Sequence, residues 1–246
     1  MISVCIPTYN GEKYIKEQLN SILCQLSESD EVIISDDSST DSTLKIVEKL
    51  NDNRIKIFPN NHFYSPIFNM ENALKQAKGD FIFLSDQDDI WTPNKVAIML
   101  KALEKNDLCV SDCELINANG EPLSPSFFQL NRSKKGFLTN FIRNSYLGCC
   151  MAFKRNILNY ILPFPATIAM HDIWIGLCVE LWGSSLFIED KLIKHRRHGD
   201  NASTTSGKSK FGITYKFKYR FDFLYQLLRR RFTVVKNNKI KRREQR

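Results

Sequence analysis

The stretch FIFLSDQDDIW, residues 81–91, is the strongest structural signal in the chain. Its first four residues are apolar and rich in aromatics, and they follow Gly79-Asp80, a pattern typical of a buried strand. Three carboxylates come next, namely Asp86, Asp88 and Asp89. Carboxylates crowded at the end of a buried strand repel one another, and a hard cation such as Mg²⁺ or Mn²⁺ would neutralise them. The spacing equally fits a polar turn in which Asp89 or Thr92 caps a helix with Pro93 in its first turn.

Shorter units of the same kind precede this stretch. The predicted order is strand 3–6, helix 15–26, strand 32–35, helix 44–50, strand 54–58 and helix 70–77 with Gly79 as its C-cap. Strands that alternate with helices predict an α/β/α sandwich with a mostly parallel central sheet of Rossmann-like type.

The loops after the first, second and fourth strands carry the polar residues of this half. They contain Pro7 to Gly11, Asp36-Asp37 and Asp86-Gln87-Asp88. Because ligands bind beyond the carboxyl ends of parallel strands, we expect these loops to meet at one edge as an acidic ligand site. The chain has no GxGxxG after the first strand and no GxxxxGK[ST] motif, so a phosphate site here would need a metal ion.

The second half of the chain has weaker patterns. We predict helix 93–104, strand 108–116, a turn at Asn119-Gly120, a loop over 122–135, a short helix at 137–142, a buried strand at 146–153, a helix from 170 through Trp182, and strands at 186–188 and 191–194. At the start of the 170–182 helix, Asp172 is either an ordinary N-cap or a functional carboxylate, and the helix dipole would favour its ionised form.

Length and composition favour one large domain, or one domain with an appendage, of an ordinary globular protein. Seven cysteines without CxxC spacing, most of them in apolar runs, predict a reduced, cytosolic protein. We expect neither a secretory signal nor a membrane-spanning helix, because no basic segment precedes the first apolar run and no apolar run approaches ~20 residues.

The net charge of +8 is unevenly distributed. Residues 208–246 contain fourteen Lys and Arg against two acidic residues, a net of +12, so residues 1–207 carry −4. In the tail, apolar residues recur at helical spacing: Phe217, Phe221, Leu224 and Leu228, with Tyr225 and Phe232 beside them. A basic amphipathic helix binds anionic membrane surfaces, and the alternative is a helix that packs back on the domain. Nucleic acid is not expected as a partner, because the body is acidic and carries no recognised nucleic-acid module.

Several motifs occur together and in order: PTYNGEKYIKEQLNSIL at 7–23, SDDSSTDST at 35–43, KGDFIFLSDQDDIW at 78–91, GCCMAFKR at 148–155, HD at 171–172 and RRHGDNAS at 196–203. Together they resemble glycosyltransferase family 2, whose members have the GT-A fold. The SDQDDIW form is similar to bacterial rhamnosyltransferase-like members that build surface polysaccharides. The resemblance covers about residues 1–205, which we expect to form the catalytic domain, with 206–246 as a basic amphipathic tail.

The resemblance implies an inverting glycosyltransferase that uses Mn²⁺ or Mg²⁺. It would move a sugar from a nucleoside diphosphate, dTDP-rhamnose or a UDP-hexose, to an oligosaccharide or lipid-linked glycan acceptor of a growing surface glycan. Such an enzyme would lie in the cytoplasm or on the inner face of the cell membrane. The alternative is a catalytically silent protein of the same fold that binds nucleotides or glycans.

Motif positions then imply residue roles. Nucleotide-sugar contacts fall on Pro7, Thr8, Tyr9, Asp36, Asp37, Asp86 and Gln87, with Asp36 or Asp37 accepting a hydrogen bond from the pyrimidine. Metal ligation falls on Asp88, supported by Asp86, and on His198, for which a surface histidine is the alternative. Asp89 is expected to be a cap or to support the ligands. Asp172 falls on the catalytic base, where the family more often has Glu-Asp and this chain has His171-Asp172.

Overall fold

The computed structural model describes residues 1–199 and 220–232. The strands are β1 Ile2–Thr8, β2 Glu31–Asp36, β3 Ile55–Phe58, β4 Phe81–Leu84, β5 Ile90–Trp91, β6 Leu108–Asn117, β7 Pro122–Ser124, β8 Met151–Lys154 and β9 Ser185–Arg197. The α-helices are α1 Ile15–Leu23, α2 Thr43–Lys49, α3 Pro66–Gln76, α4 Lys95–Leu103, α5 Phe127–Asn131, α6 Phe137–Ile142, α7 Leu158–Ile161, α8 His171–Trp182 and α9 220–232. Short 3₁₀ turns occupy Gly148–Cys150 and Arg155–Ile157.

One sheet joins all of these strands in the order β3-β2-β1-β4-β8-β6-β9-β5, with β7 attached to β6. The first four pair in parallel, which confirms the predicted alternation of strands and helices. β8 then runs antiparallel to both β4 and β6, whereas β9 is parallel to β6 and antiparallel to β5. The carboxyl ends of β1, β2 and β4 therefore meet at one edge.

The elements near this edge follow from their apolar patterns. All six residues of β2 are buried, as expected of a parallel strand covered on both faces. Along α1, Ile15, Leu19 and Ile22 recur at helical spacing and are fully buried, so this helix is fixed beside the loop that follows β1.

The predicted C-cap at Gly79 is wrong. α3 ends at Gln76, and its C-cap, Ala77, has extended backbone. Gly79 instead allows the chain to pass close to β1, because a Cβ there would lie 2.6 Å from the Ser3 nitrogen. The glycine is needed for contact between two backbones and not for a helix end.

The start of α4 also differs from both predicted caps. Its N-cap is Asn94, in the left-handed region at φ 66°, and β5 intervenes between the acidic loop and the helix. Asp89 and Thr92 do not cap it, and Pro93 precedes it. The two-residue strand β5 was missed because so short an element has no recognisable period.

Three predictions in the second half need correction. The region 122–135 is not a loop, since it contains β7 and α5, the latter capped by the Ser126 side chain, which accepts from Gln129 N. The predicted strand 146–153 forms only from Met151, after a 3₁₀ turn. The strands predicted at 186–188 and 191–194 are one strand, β9, whose pairing with β6 is interrupted by register shifts.

Helix α9 packs back on the domain. Phe223 and Leu227 are buried, and the Phe223 ring meets Trp174 of α8 edge-on, with 5.6 Å between centroids. Arg230 donates to the Leu162 and Pro163 carbonyl oxygens. Phe217 and the proposed boundary at 205/206 lie outside the described residues, so the domain division stays a prediction. Among the described residues, no helix is both long and apolar enough to cross a membrane.

Candidate active site

The loops after β1 and β4 are joined by one side chain. Gln87 Oε1 accepts from Tyr9 N at 2.9 Å, and Gln87 Nε2 donates to Tyr9 O at 2.9 Å. A Cβ at Gly11 would lie 2.5 Å from Gln87 Oε1, so only glycine leaves room for this contact. Gln87 was predicted among the nucleotide contacts, but both of its polar side-chain atoms form hydrogen bonds with the Tyr9 backbone. The Tyr9 ring itself is exposed at the mouth of the site.

The carboxylates after β2 are also engaged by the protein. Asp36 is buried and accepts from Thr8 Oγ1 at 2.8 Å and from Ser39 N and Oγ at 2.8 and 2.6 Å. Asp37 accepts from the backbone N–H groups of Phe63 at 2.6 Å and Ser65 at 3.2 Å. These contacts bring the loops after β1 and β2 together, as predicted, and they link the 63–65 segment to the same edge.

An aspartate–histidine pair lies at the surface of this edge. Asp88 Oδ2 is 2.6 Å from His198 Nε2, and both side chains keep a little exposure. The His198 ring lies 5.3 Å from the Tyr14 ring, between centroids. The Arg196 guanidinium lies over the same Tyr14 ring and forms an ion pair with Glu17 at 2.8 Å. The end of β9 is thereby held on α1, and we call Asp88 and His198 the outer pair.

A second aspartate–histidine pair lies beneath the first. His195 Nδ1 is 2.9 Å from Asp89 Oδ1, and Arg196 N donates to the same oxygen at 2.9 Å. Both side chains are buried. His195 Nε2 is buried without a hydrogen-bond partner among the described residues. We call Asp89 and His195 the inner pair.

A lysine is buried behind these pairs. Lys95 Nζ donates to the Cys149 carbonyl oxygen at 2.9 Å and lies 4.6 Å from the centre of the Trp91 ring. Burial lowers the pKa of this amine. The lysine thus ties α4 to the 3₁₀ turn at Gly148–Cys150, which borders the acidic cluster.

Burial and mutual repulsion perturb the three carboxylates differently. Burial, together with the charges of Asp89 and Asp88, raises the pKa of Asp86 to about 8. Burial and the charge of Asp89 also raise the pKa of Asp88. Burial would raise the pKa of Asp89 too, but the attraction of His195 outweighs it and holds that pKa below its ordinary value. The cluster therefore holds more negative charge than it can stabilise alone.

Two sets of side chains could bind a cation that neutralises this excess negative charge. The outer pair with Asp86 offers two carboxylates and an imidazole, a donor set that suits Mn²⁺ or Mg²⁺. Asp86, Asp89, Cys149 and His195 also have potential ligand atoms within 4.8 Å of one another. In that set Asp89 and His195 already satisfy each other, and burial raises the pKa of the Cys149 thiol. A protonated thiol is a poor ligand for a hard cation, so donor chemistry favours the outer set, whereas within the described residues it is the set with Cys149 whose potential ligand atoms converge.

Asp172 lies in the first turn of α8, and the hydrogen bonds that its carboxylate accepts come from neutral donors. Its Oδ1 accepts from Ile173 N at 2.6 Å, and its Oδ2 accepts from Asn144 Nδ2 at 3.4 Å. Burial raises the pKa of Asp172 to about 6, although the hydrogen bonds from Ile173 and Asn144 act to lower it. Its charge contributes to the raised pKa of Asp86, so the two carboxylates share one site. A carboxyl group with a pKa near neutrality suits a general base.

His171, the residue that departs from the family pattern, is buried with no hydrogen-bond partner on either ring nitrogen among the described residues. Burial lowers its pKa to about 4, so the ring is neutral near pH 7. A Cβ at Gly148 would lie 2.8 Å from His171 Nε2, so the glycine makes room for the ring. A neutral side chain beside Asp172 spares that carboxylate a second nearby negative charge.

Several residues that shape the site were not predicted. His195, Asn144 and Tyr14 make contacts with Asp89, Asp172 and His198, and none stands in a pattern that marks it out. The only available signal was the position of His195 in the run HRRH at the end of a predicted strand. Arg196, in the same run, is buried and donates to Glu17, the Ala118 carbonyl and the Asp88 carbonyl.

Known proteins resemble this chain in sequence. The chain is 30% identical to the Escherichia coli protein WfgD, a UDP-Glc:alpha-D-GlcNAc-diphosphoundecaprenol beta-1,3-glucosyltransferase, over 67% of this chain and 64% of WfgD. It therefore spans just under two thirds of that relative's length.

Two solved structures show the same fold. Staphylococcus aureus TarS 1–349 in complex with UDP-GlcNAc has a TM-score of 0.64 and 22% identity, covering 94% of this chain and 72% of that one. The Pyrobaculum calidifontis mannosyltransferase PcManGT, in complex with GDP-Man and Mn²⁺, has a TM-score of 0.58 and 20% identity, covering 81% and 58%. These likenesses confirm the predicted GT-A fold.

The family model described as Glycosyl transferase family 2 matches residues 3–162, well over half of the chain. That range contains β1 to β8, the acidic loop after β4 and the turn at Gly148–Cys150. The chain therefore belongs to glycosyltransferase family 2.

Proposed function

We propose that this chain transfers one sugar from a nucleoside diphosphate to a glycan acceptor, with inversion at the anomeric carbon and with the help of Mn²⁺ or Mg²⁺. The observation that carries the proposal is the outer pair, Asp88 and His198, beside Asp86, with Asp172 near enough for its charge to raise the pKa of Asp86. A diphosphate needs positive charge as it leaves, and an attacking hydroxyl needs a base.

In this proposal Asp172 is the base. It takes the proton of the acceptor hydroxyl as that oxygen attacks the anomeric carbon on the face opposite the departing diphosphate, through an oxocarbenium-like state. Asn144 orients the carboxylate by its hydrogen bond to Oδ2. A cation held by Asp86, Asp88 and His198 would supply positive charge to the leaving group.

The nucleotide would lie over the loops after β1 and β2. Tyr9 is exposed there, and Pro7, Thr8 and Gln87 shape the loop beneath it. Both oxygens of Asp37 already accept from backbone N–H groups, but a carboxylate oxygen has a second lone pair that a pyrimidine N–H can use. Asp36, enclosed by Thr8 and Ser39, would hold the loop in shape rather than touch the base.

For the donor we propose a UDP-hexose ahead of dTDP-rhamnose. The name of WfgD specifies UDP-Glc, and the TarS crystal contains UDP-GlcNAc. The acceptor of WfgD is attached to diphosphoundecaprenol, a lipid carrier, and we propose an acceptor of the same class here. The enzyme would then work at the inner face of the cell membrane, with residues 1–205 as the catalytic domain and 206–246 as a tail that contacts the lipid.

The test is a donor panel with the full chain. UDP-Glc, UDP-GlcNAc and dTDP-rhamnose are each incubated with Mn²⁺, with and without a lipid-linked GlcNAc-diphosphate acceptor, and the released nucleoside diphosphate is measured. We expect acceptor-dependent release from a UDP-sugar, loss of release with EDTA, and no transfer but normal donor binding in Asp172→Ala. Donor binding without release from any donor would favour the catalytically silent alternative, and full activity in Asp172→Ala would remove the proposed base.

A further inference from the structure

Exposed apolar side chains concentrate on two neighbouring helices, α6 and α9. On α6, Leu138 is 73% exposed and Ile142 is 67% exposed, and their spacing of four residues puts them on one face. On α9 the exposed apolar residues are Phe221, Leu224, Tyr225, Leu228 and Phe232. We call these seven residues the α6–α9 surface.

The exposed residues of α9 form a single stripe. At about 100° per residue, Phe221, Leu224, Tyr225, Leu228 and Phe232 fall within an arc of roughly 100°. Phe223 and Leu227, which are buried against the domain, lie on the opposite side. Arg229 and Arg231 fall on the two flanks of the stripe. The helix is thus apolar on both faces, and only one of them is used by the domain.

The two helices are joined where the stripe begins. Arg220 Nη2 donates to the Ile142 carbonyl oxygen at 2.6 Å, and Phe221 is the next residue. The other end of α9 is held by Arg230, which binds the Leu162 and Pro163 carbonyl oxygens and lies over Trp174. Because both ends are attached, the helix cannot turn its outer stripe inward, and the stripe faces away from the domain.

The segments that carry this surface are rich in basic residues. Between Glu121 and Asp172 the sequence contains no acidic residue. The basic residues in that interval are Arg132, Lys134, Lys135, Arg143, Lys154 and Arg155. α9 adds four arginines against one aspartate, although residues 1–207 as a whole carry −4. The two segments of sequence that contain α6 and α9 therefore each carry a net positive charge.

We propose that the α6–α9 surface lies on an anionic lipid bilayer, with its apolar side chains at the boundary of headgroups and acyl chains and its basic residues among the headgroups. An apolar stripe flanked by arginines fits this environment, since anionic lipids attract the charges and the interface accepts the apolar side chains. A protein partner would need acidic groups around an apolar patch, whereas an anionic bilayer offers both over any area.

The proposal rests on the proposed function, because it explains how a lipid-linked acceptor meets the base. Asn144 lies two residues beyond α6 and donates to Asp172 Oδ2. Helix α9 is connected to the same residue through its inner face, since Phe223 packs on Trp174 of α8, the helix whose first turn contains Asp172. A bilayer in contact with α6 and α9 would therefore lie against the two helices that adjoin Asn144 and α8.

Vesicle co-sedimentation of the full chain tests the surface. Vesicles of phosphatidylcholine alone are compared with vesicles that also contain phosphatidylglycerol. We expect binding to the anionic vesicles only, weakened by salt. The variants Leu138→Glu/Ile142→Glu and Phe221→Glu/Phe232→Glu should each lose at least about tenfold in binding, because a carboxylate is repelled by the headgroups and excluded from the acyl region. Leu123→Glu changes an equally exposed leucine on β7 and should bind as the unsubstituted chain does.

Release of nucleoside diphosphate with a water-soluble acceptor analogue is measured on the same preparations. The surface variants should keep this reaction and lose transfer to an acceptor embedded in vesicles. No vesicle binding by the unsubstituted chain, or equal binding by surface variants and control, would overturn the proposal while leaving the proposed function intact. Conversion of a dimer to a monomer by the substitutions, with no vesicle binding, would assign the surface to a second copy and also overturn it. Vesicle binding without turnover of any donor would support the proposal that the α6–α9 surface binds a bilayer and would reject the proposed function.

Discussion

The outer and inner pairs contain the same two residue types but occupy different environments. Asp88 and Asp89 are adjacent in the chain, and His198 and His195 lie three residues apart at the end of β9. The outer pair keeps contact with solvent, whereas the inner pair is enclosed and also accepts a backbone N–H from Arg196. One pair is available to a ligand and the other is a component of the interior.

The pKa directions follow this difference. Burial alone would lower the pKa of His195, but the carboxylate of Asp89 outweighs it and raises that pKa to about 9, while His195 in turn lowers the pKa of Asp89. Each partner stabilises the charge of the other once both have left water. The pKa of Asp88 is raised despite His198, because burial and the charge of Asp89 dominate. A cation would offset the unfavourable negative charge at the outer pair, whereas the charges of the inner pair already offset each other. Residue type alone therefore does not tell which pair could bind a metal ion and which one is structural. Burial and hydrogen-bond partners make that distinction.

The largest expected effect comes from the outer pair. In Asp88→Ala we expect kcat/KM to fall by about 10³-fold, since a bound cation contributes several kcal/mol of transition-state stabilisation. The free energy of unfolding should change by less than about 1 kcal/mol, because the variant relieves repulsion within the cluster. Steady-state kinetics with Mn²⁺ and urea denaturation measure the two quantities. Asp190→Ala, at an exposed aspartate of β9, is the matched control, and unchanged kinetics in Asp88→Ala would contradict the comparison.

The inner pair should respond in the opposite way. Asp89→Ala leaves His195 buried without its carboxylate, and breaking a buried pair by removing one partner costs about 3–5 kcal/mol of folding free energy. Urea denaturation near pH 7 checks this, against Asp190→Ala. If Asp89→Ala unfolds as the unsubstituted chain does but loses Mn²⁺-dependent UDP binding, then Asp89 and His195 belong to the ligand set and our division of the pairs is wrong.

A smaller effect is the pH dependence of the inner pair. The pKa of His195 is raised from an ordinary value of 6.5 to about 9, so the stability it gives is fully present below pH 6.5 and is lost as the pH rises through about 9. The loss amounts to about 3 kcal/mol. Because Asp86, with its raised pKa, also favours the fold at lower pH, the measurement is the difference in unfolding free energy between the unsubstituted chain and Asp89→Asn from pH 6 to 10. A difference that stays constant over this range would refute the assignment.

The smallest effect concerns Asp172, a carboxylate without a histidine partner among its hydrogen bonds. With a pKa of about 6, the ionised form that can act as a base is lost below pH 6, so kcat/KM should fall about tenfold per pH unit there. Asn144→Ala removes a hydrogen bond that lowers this pKa, and the descending limb should move to higher pH. A flat profile between pH 5 and 7 in the unsubstituted chain would argue against Asp172 as the base.

Much of the parallel half was predictable because its signals are local. The run Phe81–Leu84 is bounded by glycine and carboxylates, and it forms β4 with the predicted limits. The convergence of the loops at Tyr9, Asp36 and Gln87 followed from the parallel pairing alone. Sequence periodicity and one topological rule therefore suffice to bring Asp86 and Asp88 to the edge of the sheet.

The different roles of Asp86, Asp88 and Asp89 could not be predicted from the sequence, because they depend on long-range packing. Asp89 meets His195 across more than 100 residues, only because β9 pairs with β6 and carries β5 on its other side. Burial raises the pKa of Asp172 to about 6, and its place in the first turn of a helix does not reveal that burial. Helix α9 likewise has two apolar faces: packing on the domain was the expected alternative to membrane binding, but the sequence pattern did not single out Phe223 and Leu227 as the residues that make it.

The contact between Gly11 and Gln87 has a consequence for how this sequence can vary. Gln87 fits only because position 11 lacks a Cβ, and it binds Tyr9 only because its amide both donates and accepts. Glutamate at 87 would keep the shape and lose the donor, while alanine at 11 would displace the amide. The two positions, far apart in the chain, should therefore be substituted together in divergent relatives: where residue 11 acquires a side chain, residue 87 should become smaller.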